Sequence, residues 1–337
     1  MIIDPSRFRI FSIKRLLDYE KPLKTGKSLK FCYGPVPSRR LGRSLGIDIL
    51  PSKTCNYQCI YCQLGRTNHF TTLRKDFFPK EQIMAEMEKA IRRHEEKTDF
   101  VTFVGSGEPT LYKSLKALIL HAKTITKKPI CVITNGSLLF VSKVQEALLL
   151  ADVILPSLDA GDNKNFIKIN RPHPTLKFDA IIEGLVDFRR KYEGKFWIEV
   201  MVMKGINDCK GDLMKIKEKI DLIKPDRIDI NVPIRPPTEQ WVSIPDRGII
   251  PLLKEIFGKY YDMNYPEFGE FDISSTNFEQ EFLAIIQRHP MRQDQILKTF
   301  STPYFTEMDI LKNLQSLESK EKIKKWLYND QIFWKLN

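Results

Sequence analysis

Nowhere in this chain does an apolar run reach the roughly 18 residues that a helical membrane span requires, so no span is expected. The first residues, MIIDPSRFRIF, lack the continuous apolar region of a secretory signal, and the cytoplasm is the expected compartment. Cysteine is scarce as well, with six in 337 residues and no regular spacing of the kind that marks a disulfide framework. Acidic residues are outnumbered: 54 Lys and Arg stand against 42 Asp and Glu, for a net charge of +12. The excess is local. Residues 1–75 hold 15 basic and 4 acidic side chains, residues 76–275 hold 30 of each, and residues 276–337 hold 9 and 8. A field concentrated in one arm favours an anionic partner, nucleic acid among them, although a solvated lysine-rich terminus has the same composition.

What is present is one dense group of thiols. CNYQCIYC, residues 55–62, places Cys55, Cys59 and Cys62 in a tight loop after an expected strand from Ser44 to Leu50. Three thiolates at that spacing can face one metal centre. Iron–sulfur cubes ordinarily take four protein thiolates, so three leave one iron open to a small chelating ligand, over which the ring of Tyr61 could pack. The other reading is tetrahedral zinc with His69 as fourth ligand. No second ligand pair of the usual zinc spacing follows Cys62. Cys32, Cys131 and Cys209 are scattered, and an auxiliary cluster is not expected from them.

From the first strand onward the pattern alternates. Short β-branched or aromatic strands are expected at 44–50, 100–104, 130–134, 153–158, 196–203 and 227–232. Helices are expected between them near 79–97, 112–124, 142–150, 176–192 and 212–223, and a further one near 246–258. Six βα units predict an α/β fold with a parallel sheet curled into a partial barrel, whose ligands bind beyond the carboxyl ends of the strands. The junctions there read GSGEPT (105–110), TNGS (134–137), SLDAGD (157–162), KGIND (204–208) and NVPIRPP (231–237). Each alone is a turn signal. In order, they converge on one site.

Cys-x-x-x-Cys-x-aromatic-Cys followed by these junctions resembles the radical S-adenosylmethionine (SAM) superfamily over roughly residues 31–237. The resemblance implies one [4Fe–4S] cluster on Cys55, Cys59 and Cys62, with SAM as second cofactor. It implies SAM contacts at Tyr61, at Ser106, Gly107 and Glu108 (serine here replaces the family's first glycine), at Asn135, Ser157, Asp159 and Asn207, and at the backbone near Pro233. The chemistry implied is reductive cleavage of SAM to methionine and a 5′-deoxyadenosyl radical that abstracts a substrate hydrogen, with an electron from a flavodoxin or ferredoxin. The arm GPVPSRRLGRSLGID looks like a branch called iron–sulfur oxidoreductases, related to the tRNA wyosine-base synthases. Those synthases carry further upstream cysteines for a second cluster, where this chain has Cys32 alone.

After Pro237 the alternation stops. Helices near 278–288, 292–300 and 307–319 precede two apolar runs flanking Asn329-Asp330, a hairpin turn signal, and the set looks like a winged helix. The domain reading is a basic arm (1–43), a partial barrel (44–258), a linker (259–274) and a winged-helix-like unit (275–337). The expected function is modification of a macromolecule, with tRNA foremost among anionic partners. The alternatives are an activase that places a radical on a partner protein, and a redox sensor that binds DNA.

Overall fold

The computed structural model describes residues 31–262, 277–302 and 305–337. The basic stretch 1–30 and most of the expected linker, Tyr265 and Phe268 included, lie outside them. The framework is one eight-stranded sheet curled into a half-barrel, in which seven strands run parallel and one edge strand runs against them. In chain order the strands are β1 (Cys32–Ser38), β2 (Gly42–Ile47), then a detached parallel pair β3 (Thr54–Cys55) and β4 (His69–Phe70). There follow β5 (Phe100–Phe103), β6 (Ile130–Thr134), β7 (Val153–Pro156), β8 (Lys195–Met201), β9 (Arg227–Asn231) and β10 (Tyr261–Asp262). The large sheet has the order β1-β2-β5-β6-β7-β8-β9-β10, so each parallel neighbour follows its predecessor with a helix between.

Those helices are α1 (Lys80–His94), α2 (Leu115–Ile125), α3 (Ser142–Leu148), α4 (Asn163–Asn170), α5 (Phe178–Lys191), α6 (Lys210–Ile223) and α7 (Ile250–Phe257). Strand alternation sorts the side chains. Val132, Ile154, Ile198 and Val200 point outward and join Met87, Leu118, Leu185, Phe188 and Ile216 of the helices in the main core. Cys131, Ile133, Val153, Leu155 and Trp197, on the opposite faces of the same strands, fill part of the barrel interior with Leu41. Above that apolar floor the interior turns ionic. Arg40 reaches Glu199 at 2.6 Å, and Arg227 reaches Asp229 at 2.7 Å while its guanidinium lies 3.5 Å from the centre of the Trp197 ring. No helix among the described residues is long and apolar enough to cross a membrane.

The six expected strands are all present, and two edge strands join them. Residues 32–38, read from sequence as part of an arm, pair antiparallel with β2, because Gly34 at φ +91° and Pro35 and Pro37 are tolerated at a sheet edge. The 163–170 segment, given no element in the sequence reading, is the short helix α4, begun where Asp162 accepts from the Asn165 amide.

Beyond residue 276 come α8 (Phe278–Ile286), β11 (Met291–Arg292), α9 (Gln293–Phe300), α10 (Glu307–Ser319) and the hairpin β12 (Ile323–Tyr328) and β13 (Gln331–Leu336). The three strands form a sheet of order β11-β13-β12, and Asn329 and Asp330 take the left-handed conformation that the hairpin turn needs. The core of this unit, Phe278, Phe282, Phe300, Ile310, Leu314 and Trp334, is continuous with Tyr33 and Val36 of β1.

Candidate active site

The cysteine loop leaves the end of β2 and crosses the open end of the half-barrel. Cys55, Cys59 and Cys62 all line one cavity of about 320 Å³, within the range of small-molecule sites. Burial pushes the Cys55 thiol up to about 12, with Glu108 adding to the effect, and raises Cys59 and Cys62 as well. Buried thiols of this kind give up their protons when metal takes their place. Two of the sulfurs also accept amide hydrogens: Asn135 Nδ2 lies 3.7 Å from Cys55 Sγ, and Asn170 Nδ2 lies 3.6 Å from Cys59 Sγ. Such donors favour anionic sulfur, so the donor set fits a thiolate-ligated iron–sulfur cluster. His69, the fourth ligand of the zinc reading, is exposed and does not line the cavity.

The βα junctions converge as expected but divide into two layers. Tyr61, Gly107, Glu108, Asn135, Ser157 and Pro233 line the cavity. Ser106, Asp159 and Asn207 stand behind it. The Ser106 hydroxyl donates to Asp48 at 2.6 Å. Asp159 accepts from Tyr61 Oη (2.6 Å), Asn170 Nδ2 (2.7 Å) and the Met201 amide (2.9 Å); burial lifts its carboxyl to about 6 against the pull of these bonds. Asn207 donates to the carbonyls of Asp159 and Met201 and accepts from the Met203 amide, bracing β8 against the loop after β7. Glu108, buried, accepts from the Thr110 and Thr134 hydroxyls and from the amides of Thr110 and Asn135. Gly107 is a glycine because a Cβ there would fall 1.8 Å from the Thr54 carbonyl oxygen, whose other contact is the Glu108 amide at 3.1 Å. The absence of a side chain at this position therefore lets the backbone approach the cysteine loop itself.

Sequence reasoning missed a third contribution, from the far end of the chain. Arg288 and His289, just past α8, line the same cavity. Arg288 Nε donates to Asp48 at 2.8 Å, with both side chains almost fully buried, and its carbonyl accepts from Gln63 of the cysteine loop at 3.2 Å. Arg235 Nη2 donates to His289 Nε2 at 2.9 Å and Arg235 Nη1 to Gln63 Oε1 at 2.7 Å. Tyr328 of β12 donates to the Pro233 carbonyl at 2.6 Å. With Arg39 and Arg40 also in the lining, the cavity wall is rich in guanidinium groups, and Glu199, paired with Arg40, lines it too. Only an arginine followed by histidine and proline at a helix end hinted at this in sequence. Glu199, a lone charge inside an apolar strand, was the other available signal.

Comparison with known proteins agrees with this geometry. Residues 49–216 match the radical SAM superfamily. The UPF0026 protein MJ1312 of Methanocaldococcus jannaschii is 35% identical over 315 residues, which cover 92% of this chain and 97% of that protein. A protein of Brachyspira hyodysenteriae called GTPase Obg is 37% identical over 320 residues; they cover 91% of this chain but 46% of that protein, so the chain spans less than half of this relative. A solved structure of TYW1 with a lysine–pyruvate adduct bound overlaps 87% of this chain and 80% of its own, at 16% identity and a TM-score of 0.40. With a complete three-cysteine loop at the open end of a half-barrel, and a relative matched along nearly all of both chains, the protein belongs to the radical SAM superfamily and, within it, to the UPF0026 family.

Proposed function

We propose that this radical SAM enzyme modifies an RNA, with tRNA as the leading candidate. The observation that carries the reading is the placement of three cysteines in a cavity lined also by Arg39, Arg40, Arg235 and Arg288, which make that wall basic although Arg40 and Arg288 are ion-paired to Glu199 and Asp48. Cys55, Cys59 and Cys62 would hold the [4Fe–4S] cluster, with Asn135 and Asn170 donating to the sulfurs. Tyr61, Gly107, Glu108, Asn135, Ser157 and the backbone at Pro233 would frame SAM, while Ser106, Asp159 and Asn207 hold those elements in place. When bound, the cluster and SAM together supply a 5′-deoxyadenosyl radical, using one electron from a reductant of the flavodoxin or ferredoxin kind. The chain's own part is positioning. Tyr61 is oriented by its hydrogen bond to Asp159, and the C-terminal unit, winged-helix-like in its element order, adds Arg288 and His289 to the cavity wall.

The reading is tested by incubating reduced, cluster-loaded enzyme with SAM and fractionated RNA or protein. RNA that raises the yield of 5′-deoxyadenosine and gains a changed nucleoside supports it. Stimulation by a protein fraction alone refutes it in favour of the activase reading.

A further inference from the structure

Net charge conceals how the C-terminal unit distributes its lysines. In the β12–β13 register Lys324 stands directly opposite Lys335, an arrangement that is destabilising when like charges face each other without relief. Neighbouring lysines are relieved: Lys322 pairs with Glu279, and Lys325 lies 3.5 Å from Glu318. Among the described residues, no carboxylate pairs with Lys324 or Lys335. Lys335 instead lies over the Trp326 ring at 3.4 Å.

Strand alternation puts Lys324, Trp326 and Tyr328 on one face of the hairpin, and Tyr328 pins that face to the Pro233 carbonyl at the cavity mouth. A third lysine meets them there. Lys53, two residues before Cys55, has its ammonium beside Gly65 of the cysteine loop, and it too lacks a carboxylate partner among the described residues. Gln63, two residues before Gly65, is tied to Arg235, and Arg235 stands two residues after the Pro233 that Tyr328 holds, so the cysteine loop and the hairpin flank the same strand end. Burial, with Lys324 and Lys53 adding to it, holds the Lys335 ammonium down to about 8. Two segments some 270 residues apart in sequence thus carry like charges that no carboxylate among the described residues pairs with.

We propose that Lys53, Lys324 and Lys335 form a phosphate-binding rim, bridging the cysteine loop and the C-terminal hairpin, that holds the backbone of an RNA substrate against the cavity mouth. This rests on the RNA reading given above. The rim supplies affinity and register and reads no base, because backbone contacts orient a nucleic acid without specifying its sequence. It also gives the hairpin a function without any recognition helix: the contact surface is the hairpin face that carries Tyr328.

The test is the salt dependence of tRNA binding by the cluster-loaded full-length protein. Each phosphate neutralised adds about 0.7 to 0.9 to the slope of log affinity against log salt. The triple variant Lys53→Gln, Lys324→Gln, Lys335→Gln is expected to lower that slope by about 2 and to weaken binding at least about tenfold at low salt. Lys325→Gln, on the opposite face and paired with Glu318, serves as the control and keeps the wild-type slope. Cluster absorbance of each variant checks that it folds, and the pairwise variant Lys324→Gln, Lys335→Gln, away from the cysteine loop, is expected to lower the slope by about two-thirds as much. Steep wild-type binding with an unchanged slope in the variants overturns the rim and leaves the RNA reading intact. No salt-sensitive tRNA binding by the wild type overturns both.

Discussion

Replacing Arg288 by methionine removes the cation that faces Asp48 inside the protein. At 2.8 Å and an effective dielectric near 20, the pair's attraction is about 6 kcal/mol, against which each buried ion loses several kcal/mol of hydration. The intact pair therefore contributes little net stability. Its rupture does not: Asp48 would stay buried with the Ser106 hydroxyl and, at 3.4 Å, the Leu50 amide as remaining donors, and losing one partner of such a pair costs about 3–5 kcal/mol. Arg288 also ties the C-terminal unit to the end of β2, so the loss should appear first there. The expected outcome is a urea transition shifted by that amount. Adding Asp48→Asn should recover most of the loss, since no buried charge remains. A cost below about 1 kcal/mol for Arg288→Met, or no recovery in the double variant, refutes the reasoning.

Asn170→Ala removes the amide donor to Cys59, and a hydrogen bond of about 0.5–1.5 kcal/mol lost from the sulfur should lower the cluster's midpoint potential by roughly 20–60 mV in an anaerobic redox titration. No shift would mean the contact does not reach the cluster. Lys335 yields a pH prediction. Its ammonium loses its proton near 8 instead of 10.5, and phosphate favours the charged form, so tRNA affinity is retained below about pH 8 and falls as pH rises through it. Lys335→Gln should flatten that dependence between pH 7 and 9.

The half-barrel was legible because six parallel strands, buried on both faces, read as short apolar runs, and observed ends fall within about three residues of those expected. β1 was not, since Gly34, Pro35 and Pro37 are breakers in any strand except an edge. The cysteines were legible by spacing alone. Their amide donor Asn170 was not, because it lies at the end of α4, a helix of 8 residues too short for its periodicity to register. Arg288 and Asp48, 240 residues apart, show the limit most plainly. Each reads as ordinary surface charge, and only docking of the C-terminal unit makes them one buried pair at the cavity wall. Lys324 and Lys335 are similar, becoming opposed only through the hairpin register.

The most direct measurement reconstitutes the protein anaerobically with iron and sulfide, reduces it with SAM present, and quantifies 5′-deoxyadenosine beside a Cys59→Ala variant. The account predicts four irons per chain and deoxyadenosine from the wild type, with neither an intact cluster nor product from the variant. Stoichiometric zinc with SAM left whole, or equal product from Cys59→Ala, would contradict it.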